Sequence, residues 1–377
     1  MVEKEPAIGT GGEFFLIERI RKLLPPVREP ATMGIGDDAA VIRQADGQVL
    51  LVTADMLVED VHFDRSFMPS ADLGYKSLAV NLSDIAAMGG TPTCCFLSLA
   101  LPPSLPLNWF TNFMAAMVDA AGSFGVQLLG GDTVAAEKMV IAITMHGVSA
   151  ATDVVYRKGG KPGDRLYVSG TLGDSALGLQ LLRQTQKLDD NKKGPESFLI
   201  NRHRRPQPRL QLARRLAEAH LASSMLDVSD GLLGDLRHLL AAADGRGAEL
   251  FLEQLPLSPA YRKMQSPDAL EGYLPALTGG EDYELLFTVP AGREAEAAKI
   301  AEATGVRISC IGSMVREGGI QLVMPEGGRV AADDLHGYDH FAAAGSKSCQ
   351  TRPAGLNQAT SMLQSPGKTS GSSRCRS

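Results

Sequence analysis

The run Ser77-Leu78-Ala79-Val80-Asn81-Leu82-Ser83-Asp84-Ile85-Ala86-Ala87-Met88-Gly89-Gly90 carries two stripes at helical spacing. Leu78, Leu82 and Ile85 fall at i, i+4 and i+7 and make an apolar stripe, while Ser77, Asn81 and Asp84 make a polar one. The pattern predicts a helix from Ala71 to Met88, closed by Gly89-Gly90 as a C-terminal glycine stop. On its own, such a polar stripe reads as an ordinary solvated face. Its interest comes from the other acidic motifs along the chain.

Outward from this helix, β-branched and aliphatic runs predict strands at 39–43, 49–54, 93–101 and 139–148, with helices at 13–24 and 107–124. The turn-rich segment Arg157-Lys158-Gly159-Gly160-Lys161-Pro162-Gly163-Asp164 places a boundary near residue 150. Beyond it, strands at 165–169, 224–228, 249–252, 284–289 and 307–311 mix with helices at 175–184, 207–220, 294–304 and one starting near Asp230. The expected organisation is an α/β domain over 12–150, an α+β domain over 151–342, and a disordered tail over 345–377. Within that tail, Pro366-Gly367-Lys368-Thr369 imitates the end of a P-loop, but Met362 stands where its first glycine is needed and no strand precedes it.

With 377 residues, the chain exceeds what one core usually organises, so two domains are the natural expectation. A net charge of -6 gives no global attraction for nucleic acid or anionic lipid. Five cysteines without CxxC spacing indicate neither a disulfide framework nor a zinc site, and Cys94-Cys95 are expected to be buried in a strand. No apolar run approaches the ~20 residues of a membrane span, and a reducing cytoplasm is the expected location.

The acidic motifs are Gly34-Ile35-Gly36-Asp37-Asp38, Thr53-Ala54-Asp55, Asn81-Leu82-Ser83-Asp84, Gly130-Gly131-Asp132-Thr133, Asp227-Val228-Ser229-Asp230-Gly231 and Gly279-Gly280-Glu281-Asp282-Tyr283. Several follow strand-like runs, so their carboxylates are expected to project from strand ends. Asp37-Asp38 and Gly130-Gly131-Asp132-Thr133 have a plainer reading as turns, and Ser229 or Asp230 as a helix N-cap, though capping explains one of the carboxylates there and not both. Together they predict clustered carboxylates, which repel unless they share protons or bind cations. Hard oxygen ligands suit Mg²⁺, commonly held together with substrate phosphates.

In this order the motifs resemble the thiamine-monophosphate kinases, of the aminoimidazole-ribonucleotide synthetase-like superfamily. Gly12-Glu13-Phe14, Val80 to Gly89, Tyr283-Glu284-Leu285 and Gly337-Tyr338-Asp339-His340-Phe341 extend the similarity over roughly residues 12–342. The resemblance implies a two-domain fold with an N-terminal sheet that dimerises, and transfer of the ATP γ-phosphoryl group to thiamine monophosphate, giving thiamine diphosphate. It implies that Asp38, Thr53, Asp55, Asp84, Asp132, Asp227 and Asp230 hold several Mg²⁺ ions. Gly131, Asp132, Arg157 and Ser229 would then contact ATP, and His62, Glu281 and Tyr338 the thiamine monophosphate. Relatives often carry a second hydroxyl residue where Ala54 stands, so one metal contact is in question. Selenophosphate synthetase chemistry would need a reactive Cys or Sec near Lys in Gly9-Thr10-Gly11-Gly12, which has neither.

Overall fold

The computed structural model describes residues 12–184 and 193–338. The expected tail at 345–377, the P-loop imitation within it, Gly9 to Gly11 and Asp339-His340-Phe341 lie outside the described residues. Helix α1 spans Gly12–Leu23, and Arg21–Tyr338 forms one compact unit.

That unit contains two sheets. Strands β1 (Ala31–Met33), β2 (Ala40–Arg43), β3 (Gln48–Val58), β4 (Thr91–Leu101), β5 (Gln127–Ala135) and β6 (Val140–Ala150) form the first, in the order β1-β2-β3-β6-β4-β5. Only the β4–β5 pair is parallel. Helices α2 (Ser70–Ala87) and α3 (Leu107–Ser123) pack on each other and against one face of this sheet. Leu51, Leu78, Leu82, Ile85, Leu97, Phe113, Met117 and Ile143 share the resulting core, as the apolar stripe of α2 requires. Truncating a large member such as Leu82 to Ala costs about 2–5 kcal/mol.

The second sheet is built from β7 (Arg165–Ser169), β8 (Ser224–Asp227), β9 (Gly247–Phe251), β10 (Leu285–Val289), β11 (Ile308–Val315), β12 (Gly319–Val323) and β13 (Arg329–Ala331), in the order β13-β12-β9-β11-β7-β10-β8. The helices of this half are α4 (Asp174–Gln184), α5 (Pro195–Arg204), α6 (Leu210–Glu218), α7 (Leu232–Ala242), α8 (Pro259–Met264), α9 (Leu270–Thr278) and α10 (Glu294–Thr304). A leucine-rich core including Leu166, Leu226, Leu233, Leu236, Leu250 and Leu286 joins α7 to the sheet.

Helix α2 also packs against β8, α5 and α6 of the second half. Its last turn contributes Ala86 to a third cluster containing Val155, Leu212, Leu216, Met225 and Phe287. Gly89, at φ 71°, ends the helix where a side chain would press on Ala217 at 2.6 Å. The helix that decides the first half therefore also joins it to the second.

Several expectations need correction. Strand β3 continues to Val58, so Asp55 lies inside a strand and not beyond its end. Strand β5 includes Gly130-Gly131-Asp132, where no strand was expected from so much glycine. The structure also contains β1, α5, α8, α9, β12 and β13, which the sequence patterns did not mark. Of the paired cysteines, Cys95 is buried in β4 as expected, but Cys94 is only partly so.

Candidate active site

Three of the sequence-named aspartates converge. One carboxylate oxygen from each of Asp38, Asp84 and Asp227 lies within 4.8 Å of the others. They arrive from the turn before β2, from α2 and from the end of β8. Thr53 Oγ1 donates to Asp84 Oδ2, and Ser83 Oγ donates across the halves to Asp227 Oδ2. The supposed solvent face of α2 is thus an enclosed polar stripe: Ser77 and Asn81 are each 1% exposed and Asp84 is half-buried. Asn81 Nδ2 donates to the carbonyl of Ser77, while its Oδ1 accepts the amide of Asp55 at 3.3 Å.

The cluster is short of positive charge. Burial raises the Asp227 carboxyl to about 8, helped by nearby Asp38, and raises Asp55 to about 6. Asp84 is pushed well above the ordinary carboxylate range by burial and by Asp55, Asp227 and Asp38. Asp37 rises to about 7, through burial and then Asp38. The available cation is Arg157, whose Nη2 donates to Asp38 Oδ1 while its backbone amide meets Asp37. Asp38 Oδ2 and Arg157 Nε are buried without hydrogen-bond partners. An all-oxygen set with a buried orphan acceptor fits a hard divalent cation.

Asp132 is not brought into this group. In register, Asp55 pairs with Ile143, Ile143 with Leu97 and Leu97 with Gly131. Asp132 is one residue farther on, so it projects to the opposite face, where it is exposed and accepts the amide of Thr133. Gly131 is required by the sheet itself: a side chain there would strike the carbonyl of Leu97. Ala54, also exposed, shares the face of Asp132 by the same alternation. The missing hydroxyl at Ala54 therefore bears on the Asp132 side and not on the triad.

Ser229 and Asp230 occupy the turn from β8 into α7. Asp235, which the sequence reading missed, accepts the amides of Asp230 and Gly231 and fixes that turn. The carbonyl of Ser229 accepts the amide of Glu281, and that of Asp230 accepts the amide of Tyr338, each across a loop. These bonds draw the Gly-Gly-Glu-Asp-Tyr loop and the chain near Tyr338 to the triad's neighbourhood. Tyr283, also missed, is buried there, its hydroxyl pushed well up by burial and by Glu281, Asp55, Asp227 and Asp230.

His62 Nδ1 accepts the amide of Val58 at 2.9 Å, which leaves Nε2 as the ring's donor. Glu281 lies close enough to feel His62, and its carboxyl is lowered chiefly by Lys76 and His203, against the opposing effect of burial.

A model of the AIR synthase related protein N-terminal domain matches residues 36–149, and one of the corresponding C-terminal domain matches 161–325. The thiamine-monophosphate kinase of Escherichia coli (strain K12) is 40% identical over 333 residues, covering 88% of this chain and 98% of the relative. The chain belongs to the thiamine-monophosphate kinase family. A solved family structure, AaThiL complexed with AMPPCP and TMP, is 33% identical with a TM-score of 0.75, covering 89% of this chain and 99% of that one. The thiamine-monophosphate kinase from Stenotrophomonas maltophilia K279a is 36% identical with a TM-score of 0.68, over 82% of this chain and 96% of its own. Both halves of the fold described above thus fall within what this kinase family shares.

Proposed function

We propose that this chain is a thiamine-phosphate kinase that transfers the γ-phosphoryl group of ATP to thiamine monophosphate. A phosphate oxygen of the acceptor attacks the γ-phosphorus, the bond to the β–γ bridging oxygen breaks, and thiamine diphosphate and ADP result. The observation that carries the reading is the convergence of Asp38, Asp84 and Asp227 in a chain whose 40% identical relative is a thiamine-monophosphate kinase.

Asp38, Asp84 and Asp227 would hold Mg²⁺, with Asp55 and Asp230 nearby. When bound, Mg²⁺ supplies the positive charge that two polyanionic substrates need for close approach. The chain's own groups do the orienting. Thr53 and Ser83 fix the carboxylates, Arg157 with Ser229 and the backbone of Gly131 would meet nucleotide phosphate, and Asp132, on the other face of the sheet, stands apart from this group. His62 Nε2–H, Glu281 and Tyr338 receive thiamine monophosphate. The acceptor oxygen is already anionic at neutral pH, so alignment replaces a strong general base, and no phosphorylated side chain is needed.

Residues 12–150 form the nucleotide and metal domain in this reading, and 151–342 the second domain. The first sheet's uncovered face exposes Met56, Phe96 and Val148, and edge strand β5 exposes Leu129 and Val134, which supports a homodimer formed through that sheet. The described residues include no helix long and apolar enough to cross a membrane. The free Cys94, Cys95 and Cys310 support a cytoplasmic place of action.

The test is coupled ADP release with ATP and Mg²⁺ and either thiamine monophosphate or thiamine as acceptor. Rapid release with the phosphate ester and little with the alcohol is expected. Equal turnover of both would overturn the reading.

A further inference from the structure

We infer that Lys76, on α2, is a positioning residue that holds Glu281 for the acceptor substrate. The inference rests on the thiamine-monophosphate reading of the cleft. Lys76 is 1% exposed, and its Nζ lies 2.9 Å from Glu281 Oε1. A lysine ammonium buried this deeply is costly unless a nearby anion compensates it. At 2.9 Å the ammonium and the carboxylate are in direct contact, so each compensates the other's charge.

Three observations place Lys76 behind Glu281 and not in the cleft itself. The side chain of Glu281 is 23% exposed while that of Lys76 is almost wholly enclosed, so Glu281 and not Lys76 is the member of the pair that reaches the surface. The second oxygen, Oε2, lies 3.3 Å from Nδ1 of His203 on α5, which in turn lies 3.1 Å from Ser175 Oγ. Glu281 also has φ 67°, a left-handed conformation that a residue with a Cβ adopts only when its surroundings hold it there. The amide bond to the carbonyl of Ser229 and the two-sided grip of Lys76 and His203 supply that hold.

The pairing also sets the spacing between the two ends of the site. Lys76 and Ser83 are seven residues apart on α2, about two turns, and so lie on nearly the same face. Lys76 meets Glu281 and Ser83 meets Asp227. One rigid helix from the first half thereby grips the second half at two points, the acceptor-side carboxylate and the metal-side carboxylate. Sequence reasoning passed over Lys76 because a lone lysine on a helix ordinarily reads as solvated.

Steady-state kinetics of wild type, Lys76→Met, Lys76→Arg, Glu281→Gln and the Lys76→Met/Glu281→Gln pair test this, each with ATP and thiamine monophosphate varied in turn. Lys76→Met should raise the KM for thiamine monophosphate by about tenfold or more while leaving the KM for ATP nearly unchanged. Lys76→Arg should recover much of the loss. In the Glu281→Gln background, Lys76→Met should add no further rise, because it acts through a carboxylate no longer there. Should Lys76→Met alone not fold, the double variant, in which the buried pair is neutral, is compared with Glu281→Gln alone. An unchanged acceptor KM in Lys76→Met, or a full further rise in the Glu281→Gln background, would overturn the assignment. Wild-type protein without turnover of thiamine monophosphate would instead overturn the reading of the cleft.

Discussion

Glu284 and the aspartate triad are enclosed acids in opposite electrostatic settings. Glu284 is fully enclosed, yet both its oxygens are satisfied: Arg202 donates to Oε1, Arg209 to both oxygens, and Ser169 to Oε2. Among the described residues, Asp38, Asp84 and Asp227 gather with Arg157 for compensation and leave Asp38 Oδ2 without a hydrogen-bond partner, and burial with neighbouring carboxylates raises the proton affinity of Asp84 and Asp227. The first arrangement closes on itself and holds the second half together. The second is incomplete without an added cation. An acid cluster points to a ligand when its charge is left unbalanced, not merely when it is buried.

This contrast can be broken most forcefully at the triad. Asp84→Asn and Asp227→Asn should each lower turnover by about two to three orders of magnitude, because a neutral amide is a poor ligand for a hard cation. Thermal unfolding of the metal-free variants should occur no lower than in wild type, since each substitution relieves like-charge repulsion. Near wild-type rates, or a large loss of metal-free stability, would remove the distinction between the triad and Glu284.

The opposite behaviour is expected at Glu284. Arg202→Met strips one donor from a wholly buried carboxylate and should cost about 3 kcal/mol or more of stability in urea denaturation. The magnesium concentration that gives half-maximal rate should not move. A shift in that requirement with little loss of stability would show that Glu284 belongs to the functional site after all.

A smaller effect separates the acceptor side from both. Burial and the nearby Lys76 lower His203 to about 3, from an ordinary 6.5. The folded protein therefore keeps His203 neutral where the unfolded chain takes up a proton. Stability is lost as pH falls from about 6.5 towards 3, by about 1.4 kcal/mol per pH unit at the steepest. His203→Gln should flatten that decline, read as unfolding free energies at pH 6.5, 5.5 and 4.5. An unchanged slope would mean that His203 titrates normally.

How much of this was readable beforehand follows from how local each cause is. The stripes of α2 declared both the helix and Asp84, and the strand-to-helix step at Asp227 declared the end of β8, because spacing along one element is a local property. Strand β5 was missed because Gly130-Gly131 has low strand propensity, and its glycine serves close approach to Leu97 across the sheet. Helix α5 was missed because its sequence, with Arg202, His203 and Arg204 buried, lacks an apolar stripe. Lys76, Ser83 and Asp235 stayed hidden for a related reason. Their partners are Glu281 and Asp227 in the other half and two backbone amides of a turn, and such contacts exist only once the chain has folded.

The central claim, that the triad is a cation site serving the two phosphate substrates, is tested most directly by Mg²⁺ binding itself. Titration calorimetry with a non-hydrolysable ATP analogue present should show heat of Mg²⁺ binding in wild type, and a weaker or smaller response in Asp84→Asn and Asp227→Asn beyond that of the analogue alone. Identical Mg²⁺ affinity and stoichiometry in wild type and both variants would contradict it.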